Sequence, residues 1–350
     1  MTKPYVTGAA GACPAQLRQW FQGRRRDLPW RVSAGADGLR DPYRTWVAEI
    51  MLQQTRVEAV VPYFQAFLAR FPTVEALAAA EEDQVLAAWA GLGYYRRARH
   101  LQAAANAVAA AGAFPTSAKE WQALPGIGPY TSAAIASLVL GERLPVVDGN
   151  VKRVVARLNG LNLRRDDPAL HRASEQSGSA WMKQLPPEEL AAAGELNEAL
   201  MELGATVCKA RQALCDECPW QSSCTASQEG DPHAYPLPPR KKEVVARRLQ
   251  CLMIGAGEQW QVSQRQSGWN PGFYEPPLMQ SGEEREQFEA AHALLPGRRL
   301  GEFAHAITNH RFRIEVWHYP MKGCNAAEAI ADLALTTITR KALAIVQESI

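Results

Sequence analysis

Across residues 12–225 apolar side chains return every three or four positions, and no sustained alternation interrupts them. That is the α-helical period, so this part of the chain must bury its apolar faces helix against helix. The pattern runs through 46–71, 74–93 and 94–113, punctuated at Pro62, Pro72, Gly91, Gly93, Gly112 and Pro115. Further helices are predicted after the turn LPGIGP, after Asp148 and over 186–205. Beyond Cys224 the texture changes. Residues 227–242 are rich in proline and polar side chains, which suits an extended linker. From about residue 243, VVARRLQCLMIGAG, EQWQVSQR and RFRIEVWHYP read as strands between glycine-rich turns, and 283–295 and 326–347 read as helices. The expectation is an all-α region followed by an α+β domain.

The 350 residues suit two domains at roughly 150 residues each. With 38 Lys and Arg against 36 Asp and Glu, the net charge is +2. That excludes a histone-like polycation, and affinity for nucleic acid would have to come from local clusters. One such cluster is Arg240, Lys241, Lys242, Arg247 and Arg248, opposed only by Glu243; it reads equally as a solvated linker. No apolar run reaches the roughly 18 residues of a membrane span, and the first residues lack the apolar stretch of a secretory signal. A soluble, cytoplasmic monomer is the expectation.

Four of the seven cysteines, Cys208, Cys215, Cys218 and Cys224, fall within 17 residues, while Cys13, Cys251 and Cys324 are scattered. An odd total in a chain without a leader argues against a disulfide framework and for a metal site. Sulfur-only ligation suits tetrahedral zinc and an iron–sulfur cluster alike. The loop between the first two carries Lys209 and Arg211, which could meet phosphate or only water.

Two glycines, Gly126 and Gly128, flank Ile127 in LPGIGPYT, with a helical pattern on each side. Such a turn lets a phosphate approach backbone N–H groups at the positive end of the next helix. It reads as a helix-hairpin-helix, a grip on the DNA backbone without sequence preference. Asp148 in VVDGNVKR falls at a helix N-cap. It is either a plain cap or a carboxylate kept ionised by the helix end, as an oxocarbenium-like sugar requires beside it. Glu49 lies among Trp46, Val47, Ile50 and Met51. It is paired, at the surface, or in an apolar pocket where its raised pKa would make it a general acid. Two carboxylates in contrasting surroundings are the usual equipment for cleaving a glycosidic bond.

Taken together, DLPWR (27–31), DPYRTWVAEIMLQQTRVEAVVPYF (41–64), GLGYYRRARHL (91–101), LPGIGPYT (124–131), VVDGNVKRVVARL (146–158), NEALMELGATVC (197–208) and the four cysteines resemble the adenine DNA glycosylases (MutY family) of the helix-hairpin-helix superfamily. The resemblance covers about 200 residues. It implies a six-helix module over 31–141 and a [4Fe–4S] module from 1–30 plus 142–228. A linker over 229–242 and a Nudix-like 8-oxoguanine-recognition domain over 243–350 would follow. It implies a base excision repair enzyme that flips adenine out of duplex DNA opposite 8-oxoguanine or guanine. On that resemblance Glu49 protonates adenine at N7 and Asp148 stabilises the sugar cation. Tyr130 and Asn150 position them, and Arg26, Leu28, Trp30 and Glu198 line the base pocket. Gln54 and Tyr94 would wedge into the base stack. Relatives that cleave the strand carry a lysine at the place of Tyr130; a phenol forms no Schiff base, so a monofunctional glycosylase is expected.

The likeness of the second domain is weaker. GEEREQFEAAHALL lacks the arrangement of a Nudix pyrophosphatase box, so that hydrolysis is not expected. Where the family reads the oxidised guanine with a Phe-Ser-His turn, this chain has Thr308, Asn309 and His310, which either contact the base or merely close a hairpin. Residues 32–40 are longer than the family spacing and read as a surface insertion without catalytic consequence. Two alternatives remain open: the same fold acting on thymine or an oxidised pyrimidine, and a non-enzymatic DNA-binding or redox-sensing iron–sulfur protein.

Overall fold

The computed structural model describes residues 11–32, 37–240, 243–267, 272–320, 328–330, 333 and 335–349. The chain divides into two compact units, Met1–Arg240 and Lys241–Ile350. Cys324, Lys241 and Lys242 lie outside the described residues, as do 33–36 of the insertion.

The first unit is helical, with α1 (Pro14–Arg24), α2 (Pro42–Leu52), α3 (Val57–Arg70), α4 (Val74–Ala78), α5 (Glu82–Trp89), α6 (Arg96–Ala111), α7 (Ala118–Ala123), α8 (Pro129–Val139), α9 (Gly149–Leu158), α10 (Pro168–Met182), α11 (Ala192–Thr206) and the short α12 (Thr225–Gln228). Local chemistry sets many of the starts. Asp41, Thr73, Ser117, Asp148 and Asp167 each cap a helix by accepting a backbone N–H, and prolines open α1, α2, α8 and α10. Pro62 does not punctuate; it lies inside α3. Val60, Phe64, Phe67 and Leu68 of that helix are buried, and their burial outweighs the one backbone hydrogen bond that proline removes.

Two cores form. The helices from α2 to α8 close around Trp46, Phe64, Phe67, Trp89, Leu101 and Trp121, and α1 with α9–α11 closes around Leu17, Phe21, Val155, Trp181, Leu196 and Trp220. The segment expected as an extended linker is held to this unit by hydrogen bonds. Arg165 N–H donates to Leu237 O at 2.9 Å, and Arg164 Nη1 donates to Pro238 O at 3.0 Å.

The second unit is a mixed sheet in the order β6-β7-β1-β2-β8, with β5 also on β1. The strands are β1 (Val245–Ala256), β2 (Gln259–Trp260), β5 (Leu278–Met279), β6 (Arg298–Ile307), β7 (His310–Tyr319) and β8 (Glu328–Ala329). A separate pair joins β3 (Ser263–Gln264) to β4 (Tyr274–Glu275). β1 and β7 run parallel; β6 and β7 form an antiparallel hairpin. Alternate residues serve opposite faces. Cys251, Met253, Ile314 and Val316 face α14 (Thr337–Ser349), while Leu252, Ile254 and Tyr319 cluster with Phe288 of α13 (Gly282–Ala291).

Two expectations are corrected in this unit. The helix predicted over 326–347 begins only at Thr337, and Glu328–Ala329 pairs with β2 instead. Pairing within the sheet overrides the helix propensity of an alanine-rich stretch. Arg247 and Arg248 are strand residues of β1 rather than part of a linker, and both are exposed.

Candidate active site

Glu49, Asp148, Tyr130, Asn150, Arg26, Leu28, Trp30 and Glu198 line one cavity of about 440 Å³ in the first unit. They come from five places in the chain. Glu49 projects from α2, Tyr130 from the first turn of α8, and Glu198 from α11. Asp148 and Asn150 open α9, and Arg26, Leu28 and Trp30 follow α1.

The surroundings of the two carboxylates differ. Burial pushes the Glu49 carboxyl up to about 7, with the negative charges of Glu198 and Asp148 adding to the rise and Arg31 opposing it. Glu49 is therefore the pocket case, not the surface or the paired one. Asp148 departs from expectation. Its carboxyl is raised, because burial outweighs the groups that favour its anion. Those groups are Val151 N–H at 2.7 Å, the backbone N–H of Asn150, Asn150 Nδ2 at 2.9 Å and the positive charge of Arg153. The cap is present as the sequence predicted; what the sequence did not carry is how far the site is shielded from water.

Three charged residues of the site escaped the sequence reading. Both oxygens of the buried Glu198 are taken, by Arg31 Nε at 2.9 Å and by Arg40 Nη2 at 2.8 Å. Glu202, one helical turn on, accepts Arg26 Nε at 2.8 Å, Arg26 Nη2 at 3.0 Å and Arg31 Nη2 at 3.0 Å. The result is a continuous chain, Arg40–Glu198–Arg31–Glu202–Arg26, along the cavity wall. The spacing of four between Glu198 and Glu202 was visible and marks one helix face. Arg40 had no local signal. It ends the 32–40 insertion, yet its side chain is buried and lines the cavity, so that segment is not merely a surface loop.

Tyr130 Oη points at Met201 Sδ, 3.4 Å away. Its phenol is strongly raised by burial and by Glu49 and Asp148, so it is neutral in the working pH range. Behind Asn150, a Cβ at Gly204 of α11 would stand 2.5 Å from Asn150 Cβ, so glycine lets the two helices touch there. Arg153 binds the region together: Nη2 donates to Asn150 Oδ1 at 2.9 Å and Gly204 O at 2.8 Å, and Nε donates to Cys208 O at 2.8 Å.

The remaining predicted residues lie apart from this wall. α7, the turn Leu124–Gly128 and α8 form the helix-hairpin-helix. Gly126 has φ of +77°, and a Cβ there would fall 2.6 Å from His100 Cβ, so the turn requires glycine. A Cβ at Gly128 would meet nothing within 4 Å; its backbone stands open at the N-terminus of α8. Gln54 and Tyr94 are exposed on two loops, after α2 and before α6, and Gln54's neighbours Thr55 and Arg56 line the cavity rim. In the second unit Thr308 and Asn309 make the two-residue turn between β6 and β7, followed by His310. Asn309 Nδ2 is committed to Glu243 O at 2.9 Å, and the His310 ring stacks on Phe312 at 6.0 Å.

Cys208, Cys215, Cys218 and Cys224 line one small cavity whose other walls include Val207, Ala213, Leu214 and Pro232. Burial first, and the neighbouring thiols second, push the Cys218 thiol up to about 12. A cationic centre would reverse that penalty, since the thiolate is the ligand form. Among the described residues no three His, Cys, Asp or Glu side chains converge tightly enough for a single ion. Four thiols around one small cavity make a sulfur donor set that suits tetrahedral zinc and an iron–sulfur cluster alike.

A hairpin between helices beside a cavity with two unlike carboxylates defines a class, and the comparisons agree with it: residues 47–179 match a profile described as HhH-GPD superfamily base excision DNA repair protein. A solved thermostable thymine-DNA glycosylase superposes with a TM-score of 0.51 at 25% identity, covering 62% of this chain and 95% of that one. Among curated relatives, the adenine DNA glycosylase of Mycolicibacterium smegmatis is 40% identical over 242 residues, 68% of this chain and 74% of its own length. The human adenine DNA glycosylase is 42% identical over 217 residues, 61% of this chain but only 39% of its own length. The chain belongs to the adenine DNA glycosylase family. It spans less than half the length of its mammalian relatives, 39% of the human protein and 49% of the mouse protein.

Proposed function

We propose that this chain is a monofunctional glycosylase that hydrolyses the N-glycosidic bond of adenine flipped out of duplex DNA opposite 8-oxoguanine or guanine. The observation that carries this reading is the convergence of Glu49 and Asp148 on one cavity. Glu49, with its carboxyl at about 7, gives its proton to N7 of adenine, and the C1′–N9 bond breaks with its electrons leaving on the base. Asp148, held by Val151 N–H and Asn150, provides the negative charge beside the oxocarbenium ion until water adds at C1′. The Glu198–Arg31–Arg40 cluster offers fixed polar groups to the edge of the base. Tyr130, having no amine, supports hydrolysis without strand cleavage. The hairpin turn supports a phosphate grip, and the Thr308–Asn309–His310 turn supports contact with the oxidised guanine.

The test is single-turnover adenine release from A:8-oxoguanine, A:G, T:G and A:T duplexes. Release confined to the first two is expected; release of thymine instead would favour the pyrimidine-directed reading. The acid form of Glu49 is the working one, so the rate constant should fall as pH rises through about 7. A rate that climbs through that range would contradict the assignment of the proton donor.

The four thiols would hold a [4Fe–4S] cluster, which when bound clamps the 208–224 loop through iron–sulfur bonds. The purified protein should absorb broadly near about 400 nm and carry about four irons per chain. Cys218→Ser should lose both and lower the unfolding midpoint. One zinc and no visible absorbance would overturn the cluster.

A further inference from the structure

Gln54 and Tyr94 share an uncommon feature: with φ of 59° and 51°, both hold the left-handed backbone conformation that L side chains rarely adopt. Both are exposed, Tyr94 to 57%. They lie 40 positions apart in sequence, on different loops, yet one half-buried side chain serves both. Arg97 Nη1 donates to Ile50 O at 3.0 Å, Met51 O at 2.9 Å and Gln53 O at 2.5 Å. Its Nη2 donates to Thr55 Oγ1 and Gly93 O, both at 3.1 Å, and to Leu92 O at 3.4 Å. The guanidinium carbon also lies 5.3 Å from the Tyr94 ring centroid. The bonds on one side bracket Gln54, at residues 53 and 55, and those on the other immediately precede Tyr94. Only a planar fork with donors pointing two ways can bridge both loops; the single nitrogen of a lysine cannot.

Resting on the glycosylase reading above, we propose that Arg97 is a positioning residue for base extrusion. It fixes Gln54 and Tyr94 in the projecting conformation with which they enter the base stack. A wedge ordered before binding loses no conformational freedom on entering the duplex, so binding energy goes into unstacking the adenine. Arg97 touches neither base nor sugar in this account, and the chemical step itself does not depend on it.

The experiment compares two substrates under single turnover at saturating enzyme. One is an A:G duplex; the other places adenine opposite an abasic-site analogue, where extrusion is easier. For Arg97→Lys, release from A:G should fall by about 10- to 100-fold, and release from the second duplex by less than about 3-fold. In parallel, 2-aminopurine in place of the adenine should brighten on binding wild-type protein and brighten less with the variant. Adding Arg97→Lys to a Gln54→Ala/Tyr94→Ala protein should cost little more, because the clamp then has nothing to hold. Thr55→Val, which removes one bond of the clamp, should show the same substrate pattern more weakly and serves if the lysine variant does not fold. Equal losses on both duplexes, or full additivity with the double variant, would overturn the proposal. If wild type releases adenine from no duplex, the glycosylase reading fails instead, and the 2-aminopurine signal still decides whether Arg97 governs extrusion.

Discussion

Glu49→Gln is expected to slow adenine release about a thousandfold under single turnover, the middle of the range for a lost general acid, while duplex binding is retained. Glutamine keeps the shape and the hydrogen-bonding oxygen but has no acidic proton. The residual rate should also lose its dependence on pH near 7, because the titrating group is gone. The same substitution should stabilise the fold, in a defined pH window. In the unfolded chain the carboxyl ionises near its ordinary 4.5; in the folded protein burial holds it to about 7. The folded state thus binds that proton more tightly and loses stability as pH climbs from 4.5 to 7, with the full cost above 7. Glutamine carries no such cost. The variant should match wild type in denaturant unfolding at pH 4 and exceed it at pH 8, by on the order of 3 kcal/mol. A slow variant with no gain at pH 8 would place Glu49 in a wetter site than the cavity provides.

Glu202→Gln is the second large expected effect, and it runs the other way. Burial alone would raise the Glu202 carboxyl, but hydrogen bonds from Arg26 and Arg31 and the charge of Arg31 outweigh it and hold it below the ordinary range. Removing this anion leaves two guanidinium groups facing a neutral side chain in a site where Glu202 is 1% exposed. Breaking a buried pair from one side costs about 3 kcal/mol or more. Because the folded pKa is depressed, the contribution of Glu202 is fully present above about 4.5 and fades as pH falls below it, so the gap between variant and wild type should close in acid. There is a functional trace as well. Arg31, no longer balanced by Glu202, opposes protonation of Glu49 more strongly. The alkaline fall in rate should therefore move to lower pH. Calorimetry at pH 7 and 4 and the pH–rate profile check both parts.

Much of this site could be read from the chain, for physical reasons that differ by residue. The cap at Asp148 and the turn at Gly126–Gly128 are local, set by side chains within a few positions, and such chemistry survives in sequence. The character of Glu49 is not local. Its helix reads equally as a surface helix until segments distant in sequence bury the carboxyl and bring Glu198, from nearly 150 positions away, beside it. Arg40 was misjudged for the same reason: its worth is its bond to Glu198. In the second unit a hairpin turn at Thr308–Asn309 was among the readings, but β6 itself was not read as a strand. That strand alternates Phe303, His305 and Ile307 with exposed Glu302, Ala304 and Ala306, and outward alanines hide the contrast that marks a half-buried strand.

Arg153 has one more implication. Through it the carbonyl of Cys208 is tied to the amide of Asn150, which in turn holds Asp148 Oδ2. The sulfur-bearing loop and the cavity carboxylate of Asp148 are two ends of one tie-rod only three side chains long. Slackening at the cysteine end would be transmitted as misaim at the anion, so a chain still folded and still bound to DNA could lose its turnover first.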